Sequence, residues 1–399
     1  MHLPRPAVLA LQIGLAIAAV AGIAAAVAFG VSALRNDDDA SNEPELLRDP
    51  SVWFTSLPDG YHVDTVVSGL PSPSALTGTA DGRIFVTEQF NGVVRVIRDG
   101  VVDPDPFYTV PDLYVQASVN FVSELGLVGI LADPDTSDGL KLYIYYSAVS
   151  PERGRTTKLV RIRERDGHGA DPETLLEIEG APICCHISGS MKWFADGTLL
   201  LSVGDHSEPE TAQDLSQLKG KLLRLNKDGS TPADNPFVGR AGVDARIWAY
   251  GVRNAFGIAL DPQGPTGYVL DNGDLGFDKI YALKAGANYG WSGIGVDRPA
   301  GSEEPLHTYL ESMGLAGAVV YRGPLTRFEG NLLFCQFHRG GALHWYDFAR
   351  ANQIPQDLVV GTGCNTGLSV LPDGFLYYLD YGPGSLIRIS NDVAAAPTP

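Results

Sequence analysis

Short apolar runs, each following a glycine turn, recur along most of the chain. RIFVTE follows Asp81-Gly82, LKLYIYYS follows Asp138-Gly139, and TLLLSVGD follows Asp196-Gly197. YVLDN then follows Gly267 with its first residue, NLLFCQF follows Gly330, and FLYYLD follows Asp373-Gly374. An Asp-Gly turn between β-rich runs predicts a hairpin. Second strands follow several of these, as VVRVIRDG at 93–100, KLLRLNKDG at 221–229 and SLIRIS at 385–390. The turns are six in number, roughly 45–70 residues apart, a spacing that signals stacked or radial units. No helix-period segment longer than about 12 residues interrupts them. Four-stranded units repeated six times predict an all-β, six-bladed β-propeller over residues 51–392, whose radial closure leaves only short edges. Each unit would hold about 57 residues against the 40–50 of common propeller repeats. The surplus is expected in loops at 101–120, 148–180, 206–218, 230–245 and 296–312. Two packed β-sandwiches are the competing arrangement.

One segment breaks the pattern. From Ala7 to Leu34 every residue is apolar or small except Gln12 and Ser32. That run exceeds the roughly 20 residues a helix needs to cross a bilayer and the 7–15 of a signal peptide's apolar region. Residues 1–35 therefore read as an N-terminal transmembrane helix, a retained anchor in preference to a cleaved signal. Residues 36–50 read as an acidic linker and 393–399 as a disordered tail. Either reading of the apolar run puts the propeller outside the cytoplasm, membrane-anchored or secreted.

Composition sharpens this picture. The 399 residues include 46 glycines and 27 prolines, which excludes a helix bundle or coiled coil. A net charge of −18 makes nucleic acid and anionic lipid poor nonspecific partners. The cysteines are Cys184, Cys185, Cys335 and Cys364. Outside the cytoplasm they permit two disulfides in three connectivities, with buried thiols as the alternative and zinc disfavoured by the lack of a CxxC pair. A vicinal 184–185 ring and links from that pair to 335 and 364 are both open.

The densest chemistry lies at 184–205, CCHISGSMKWFADGTLLLSVGD. His186 falls just before an expected inner strand, near the central channel of a propeller. An imidazole there suits proton abstraction near neutral pH. The stretch resembles the H-x-G-G…F-x-x-D-G-x-L-Y-x-x-x-G-D signature of the glucose/sorbosone dehydrogenase family. SELGLVGILADPD at 123–135, LKGKLLRLNKDGSTPADNPF at 218–237, WAYGVRNAFGIALDP at 248–262, NYGW at 288–291 and LPDGFLYYLD at 371–380 are similar to further family motifs, in order.

The resemblance implies a six-bladed quinoprotein that oxidises an aldose sugar or related polyol, using pyrroloquinoline quinone (PQQ) and calcium. It casts His186 as general base, Arg253 and Asn254 as a pair facing the cofactor, and Asp278 as a residue near the reacting centre. Asn272, with the carbonyls of Gly273 and Asp274, would face the metal. Glu124, His338 and Arg339 would border the quinone. No CxxCH haem motif is present, so electrons would leave to an external acceptor. The chain also departs from the pattern. Ser188 replaces a glycine of H-x-G-G, Asp274 a proline and Lys279 an acid, and GTGCNTGLSV at 361–370 has no arginine. Those departures support a second reading, a propeller without PQQ acting as a binding module or a calcium-dependent lactonase-type hydrolase.

Overall fold

In a computed structural model the described residues are 57–116, 123–182, 184–274, 276–346, 356–358 and 363–392. The expected anchor, linker and tail lie outside them. Among the described residues no helix is long and apolar enough to cross a membrane. Among the same residues there is no α-helix, only short 3₁₀ turns at Pro209–Gln213, Thr326–Phe328 and His338–Gly340.

Six antiparallel sheets form the six blades of a propeller. The first blade runs outward through Pro73–Gly78, Ile84–Glu88, Val93–Arg98 and Val101–Val102, with Tyr108–Thr109 added to its third strand. The second contains Leu127–Ala132, Lys141–Ser150, Gly154–Arg165 and His168–Glu179. Ser188–Trp193, Leu199–Val203, Lys221–Leu225 and Ile247–Tyr250 make the third, and Gly257–Leu260, Gly267–Asp271, Lys279–Ala282 and His307–Thr308 the fourth. The fifth has Leu315–Val320, Leu332–Gln336, Ala342–Tyr346 and Gln356–Leu358.

Leu368–Val370, Leu376–Asp380 and Ser385–Asn391 form the sixth blade, completed by Tyr61–Val67 from the start of the propeller. Tyr61 pairs with Asn391, so the outermost strand of the last blade closes the ring with backbone hydrogen bonds. Five of the six glycine turns lie between the first and second strands of their blades, and Gly267 opens the second strand of the fourth. The third shows why: Asp196 Oδ1 accepts the Thr198 amide at 2.9 Å while Gly197 takes φ +81°. The sandwich alternative is thereby removed.

The core lies between adjacent blades. Leu199, Leu201 and Leu223 of the third blade pack with Tyr143 and Tyr145 of the second, and Leu200 and Leu222 pack with Ile258 and Val269 of the fourth. One expectation is corrected. Residues 148–180 form not a loop but hold the whole of both 12-residue outer strands of the second blade. In Gly154–Arg165, Leu159 packs on one face and Val160 and Ile162 on the other, while Arg161 and Arg165 pair with Glu173 and Asp171 of the next strand.

Candidate active site

Loops at one end of the inner strands converge on an axial cavity of about 600 Å³. Its lining includes Glu124, Cys185, His186, Arg253, Asn254 and His338. Strand register assembles its most polar corner. Ser188 pairs with Val203, so two residues further along each strand His186 comes to face Asp205. His186 Nδ1 lies 2.7 Å from Asp205 Oδ1, and Asp205 Oδ2 accepts the Trp291 indole N–H at 2.7 Å. The Ser207 amide donates to Asp205 Oδ1 at 2.8 Å. A carboxylate oxygen facing Nδ1 selects the tautomer with the proton on Nδ1, which leaves Nε2 as the acceptor.

The backbone beside this pair is tightly constrained. His186 adopts φ +66° and Ser188 φ +56°, a region that costs a non-glycine residue of order 1 kcal/mol or more. A Cβ on Gly204 would stand 2.0 Å from the His186 carbonyl oxygen, so only glycine fits there. Cys184 and Cys185 form a vicinal disulfide immediately before His186. The Cys184 carbonyl accepts the Glu124 amide at 3.0 Å and the Ser123 hydroxyl at 3.3 Å. The second disulfide joins Cys335 to Cys364, which decides the connectivity left open above.

Glu124 is a junction. Its carboxylate accepts the His186 backbone N–H and the Asn254 amide, the latter at 3.0 Å, while Asn254 Oδ1 accepts the Ser188 hydroxyl at 3.1 Å. Burial pushes the Glu124 carboxyl up, and the His186, Asn254 and Arg253 neighbours pull against that rise. Arg253 reaches the Asn272 carbonyl at 3.2 Å and the Asp274 carboxylate at 3.5 Å, with its guanidinium 5.7 Å from the Trp291 ring centroid. Asp271 takes the Arg253 and Asn254 amides, and burial pushes its carboxyl up to about 6.

A second layer holds Trp291. Gln213 donates to the Trp291 carbonyl at 2.7 Å and to Asn288 at 3.0 Å. The turn that carries Gln213 is fixed by the buried Lys221 ammonium, which donates to the carbonyls of Thr211, Ala212 and Lys219.

The expected calcium loop is arranged differently from the sequence expectation. Asn272 lines the cavity, but its amide is committed: Nδ2 donates to the carbonyls of Asn254 and Leu315, and Oδ1 accepts the Leu315 amide at 2.6 Å. Asp278 is buried away from the cavity wall, where it accepts the amides of Gly273, Met313 and Gly314 at 2.8, 2.8 and 2.9 Å. It clamps two loops together. His338 borders the cavity mouth, whereas Arg339 is exposed and pairs with Glu311. Asn365 and Thr366 line the wall where the sequence lacks arginine.

Residues 70–388 match the family described as Glucose / Sorbosone dehydrogenase. The chain belongs to that family. The chain is 26% identical to Aldose sugar dehydrogenase YliI of Escherichia coli over 87% of its own length and 97% of that relative's. A solved glucose dehydrogenase superimposes with a TM-score of 0.75 at 26% identity, covering 83% of this chain and 100% of the other. The PQQ-bound form of Aldose Sugar Dehydrogenase from Streptomyces coelicolor shares the fold, with a TM-score of 0.68 at 21% identity, over 84% and 99% of the two chains.

Against the glucose/sorbosone dehydrogenase pattern, sequence reasoning brought His186, Arg253, Asn254 and Glu124 to one site and missed Asp205 and Trp291. Asp205 ends the quoted TLLLSVGD run, so its place at the tip of a second strand was the available signal. The cavity suits a planar anionic quinone at the Arg253 end, where a guanidinium lines the wall beside Asn254 and Asn272. Its other wall offers His338, Asn365 and Thr366 in place of a guanidinium cluster. A calcium ion fits less well, because the Asn272 amide and the Asp278 carboxylate are already used by backbone groups. Among the described residues no three acidic, histidine or cysteine side chains cluster as a metal cage.

Proposed function

We propose that this chain is an exported, PQQ-dependent dehydrogenase that oxidises an aldose sugar or related polyol, with His186 as general base. The observation that carries the reading is the Asp205-held imidazole on the wall of a cavity shared with Arg253. PQQ, when bound, supplies a two-electron acceptor for the substrate's hydride. With its Nδ1 proton held by Asp205, His186 Nε2 takes the proton of the substrate hydroxyl, and the Asp205 carboxylate stabilises the imidazolium that forms. Arg253 and Asn254 would hold the quinone oxygens, and the guanidinium would stabilise negative charge as it develops. Glu124 orients both His186 and Asn254. His338 would meet the acidic end of the cofactor, and Arg339 could join it only by leaving Glu311. The carbonyls of Gly273 and Asp274 would be the ligands left for calcium, and no step is routed through that ion. Electrons would leave to a separate acceptor. Export is supported by the apolar run at the N-terminus, read as an anchor at 1–35, and by two disulfides, which persist in oxidising compartments.

Purified protein supplied with PQQ and calcium should reduce an artificial acceptor dye in the presence of an aldose. His186→Ala should abolish turnover with the fold intact. If no member of a broad aldose and polyol panel reduces the dye and no PQQ is retained, the dehydrogenase reading fails in favour of the binding-module or lactonase-type reading. Unchanged turnover in His186→Ala would remove His186 from the mechanism.

A further inference from the structure

The two disulfides stand in opposite settings. Cys335 and Cys364 are fully buried inside an apolar cluster. Cys184 and Cys185 are half-buried, and Cys185 lines the axial cavity beside His186. Thiol–disulfide exchange needs direct approach of a thiolate to sulfur. A small thiol entering the cavity therefore reaches one of these bonds and not the other.

The accessible bond lies between hydrogen bonds that fix the base. Before it, the Cys184 carbonyl accepts the Glu124 amide at 3.0 Å and the Ser123 hydroxyl at 3.3 Å. After it, the His186 N–H is donated to the Glu124 carboxylate. Both ends are thus tied to Ser123 and Glu124, and Gln89 anchors that segment by donating to the Ser123 and Leu125 carbonyls at 2.8 and 3.0 Å. Because the cysteines are adjacent, joining their sulfurs closes a small ring around the peptide between them and removes most of its freedom. His186 leaves that ring at φ +66°, a conformation that persists only where the surroundings over-determine it. The ring is the covalent part of that constraint. Once it opens, His186 is free to relax to negative φ, which turns its imidazole from the Asp205 carboxylate now 2.7 Å away.

We propose that the Cys184–Cys185 ring is a positioning element for His186, and that its reduction by a small thiol in the cavity disarms the base. A thiolate of the reductant attacks one cysteine sulfur and breaks the Sγ–Sγ bond, and a second thiol displaces the mixed disulfide. The reductant leaves oxidised as its own disulfide, and each cysteine is left as a protonated thiol. The proposal rests on His186 as the base of the proposed reaction, but its first readout needs no PQQ.

The full chain carrying ¹⁵N-histidine, without PQQ, would be treated with a small dithiol and desalted. Alkylation and peptide mass spectrometry should show Cys184 and Cys185 modified and the Cys335–Cys364 bond intact, with β-sheet circular dichroism unchanged. The His186 ring signal, assigned by its loss in His186→Ala, should move from the pattern of a fixed Nδ1–H tautomer toward that of a free imidazole, and return on reoxidation. After loading with PQQ, the reduced protein should show kcat lowered by about tenfold or more, recovering on reoxidation. A Cys184→Ser, Cys185→Ser double variant should show the reduced signal and the low kcat, with no response to dithiol. The reduced wild type makes the same comparison if that variant does not fold. A Cys184–Cys185 bond that resists the dithiol, or a His186 signal unchanged after its complete reduction, overturns the proposal. If the oxidised wild type reduces dye with no substrate, the dehydrogenase reading fails, and the His186 signal still decides the role of the ring.

Discussion

Replacing Asp205 by Asn tests the geometry of the base with almost no change in shape. Asp205 Oδ1 receives the His186 Nδ1–H and the Ser207 amide, and Oδ2 receives the Trp291 N–H. An Asn side chain has one acceptor oxygen. With that oxygen toward His186, its NH₂ faces the Trp291 N–H, donor against donor. With the amide flipped, the NH₂ faces His186 and imposes the tautomer whose Nε2 carries the proton, so the base is lost. The charge-assisted bond alone is worth about 1.5–3 kcal/mol, or roughly 10- to 150-fold in rate at 1.36 kcal/mol per decade. The tautomer error extends this toward the whole general-base contribution of about 10²–10⁴. Asp205→Asn should therefore lower kcat by about 10²–10³ in the dye-coupled assay. The unpaired Trp291 donor should cost about 1–3 kcal/mol in urea unfolding. A kcat within about threefold of wild type, in a variant shown by unfolding to have lost the Trp291 bond, would refute the assignment of His186 and Asp205 as a catalytic pair.

Three further outcomes follow from the structure. Gly204→Ala should destabilise the protein by about 1–3 kcal/mol and reduce turnover, because its Cβ would meet the His186 carbonyl at 2.0 Å; calorimetry and the dye assay read both. Breaking the Cys335–Cys364 bond by double alanine substitution should cost about 3–4 kcal/mol in urea unfolding, from a closed loop with a sequence separation of 29. His206 is buried with both ring nitrogens unpartnered, and burial depresses it to about 3. Between pH 6.5 and about 3 the unfolded chain therefore binds a proton there that the folded chain does not. Stability should fall with falling pH by about 1.4 kcal/mol per unit from this group. His206→Asn should lose that share of the slope in urea titrations at pH 6.5 and 5.

The parts of this protein that were legible in its sequence are those encoded by neighbouring residues. A glycine turn needs its own φ and an adjacent Asp side chain, as at Asp196-Gly197, so six blades could be counted directly. His186, Arg253, Asn254 and Glu124 were legible because each stands in a motif with its own spacing. The missed features depend on distant partners. Asp205 meets His186 only through strand register, and Trp291 is held by Gln213, 78 residues away in sequence. Asn272 and Asp278 are residue types suited to a calcium loop, yet their oxygens are used by amides of Leu315, Met313 and Gly314, contacts from the next blade and its entry loop that no local pattern reports.

The proposed reaction is hydride transfer from an aldose or polyol to bound PQQ with His186 as base. Its most direct test is a single anaerobic turnover: protein loaded with PQQ and freed of excess is mixed with substrate, without an external acceptor, while the quinone absorption is followed. Stoichiometric loss of the quinone band is expected in the wild type, and a band that persists in His186→Ala with PQQ still bound. A band untouched by every substrate in the wild type, or lost equally fast in His186→Ala, would contradict it.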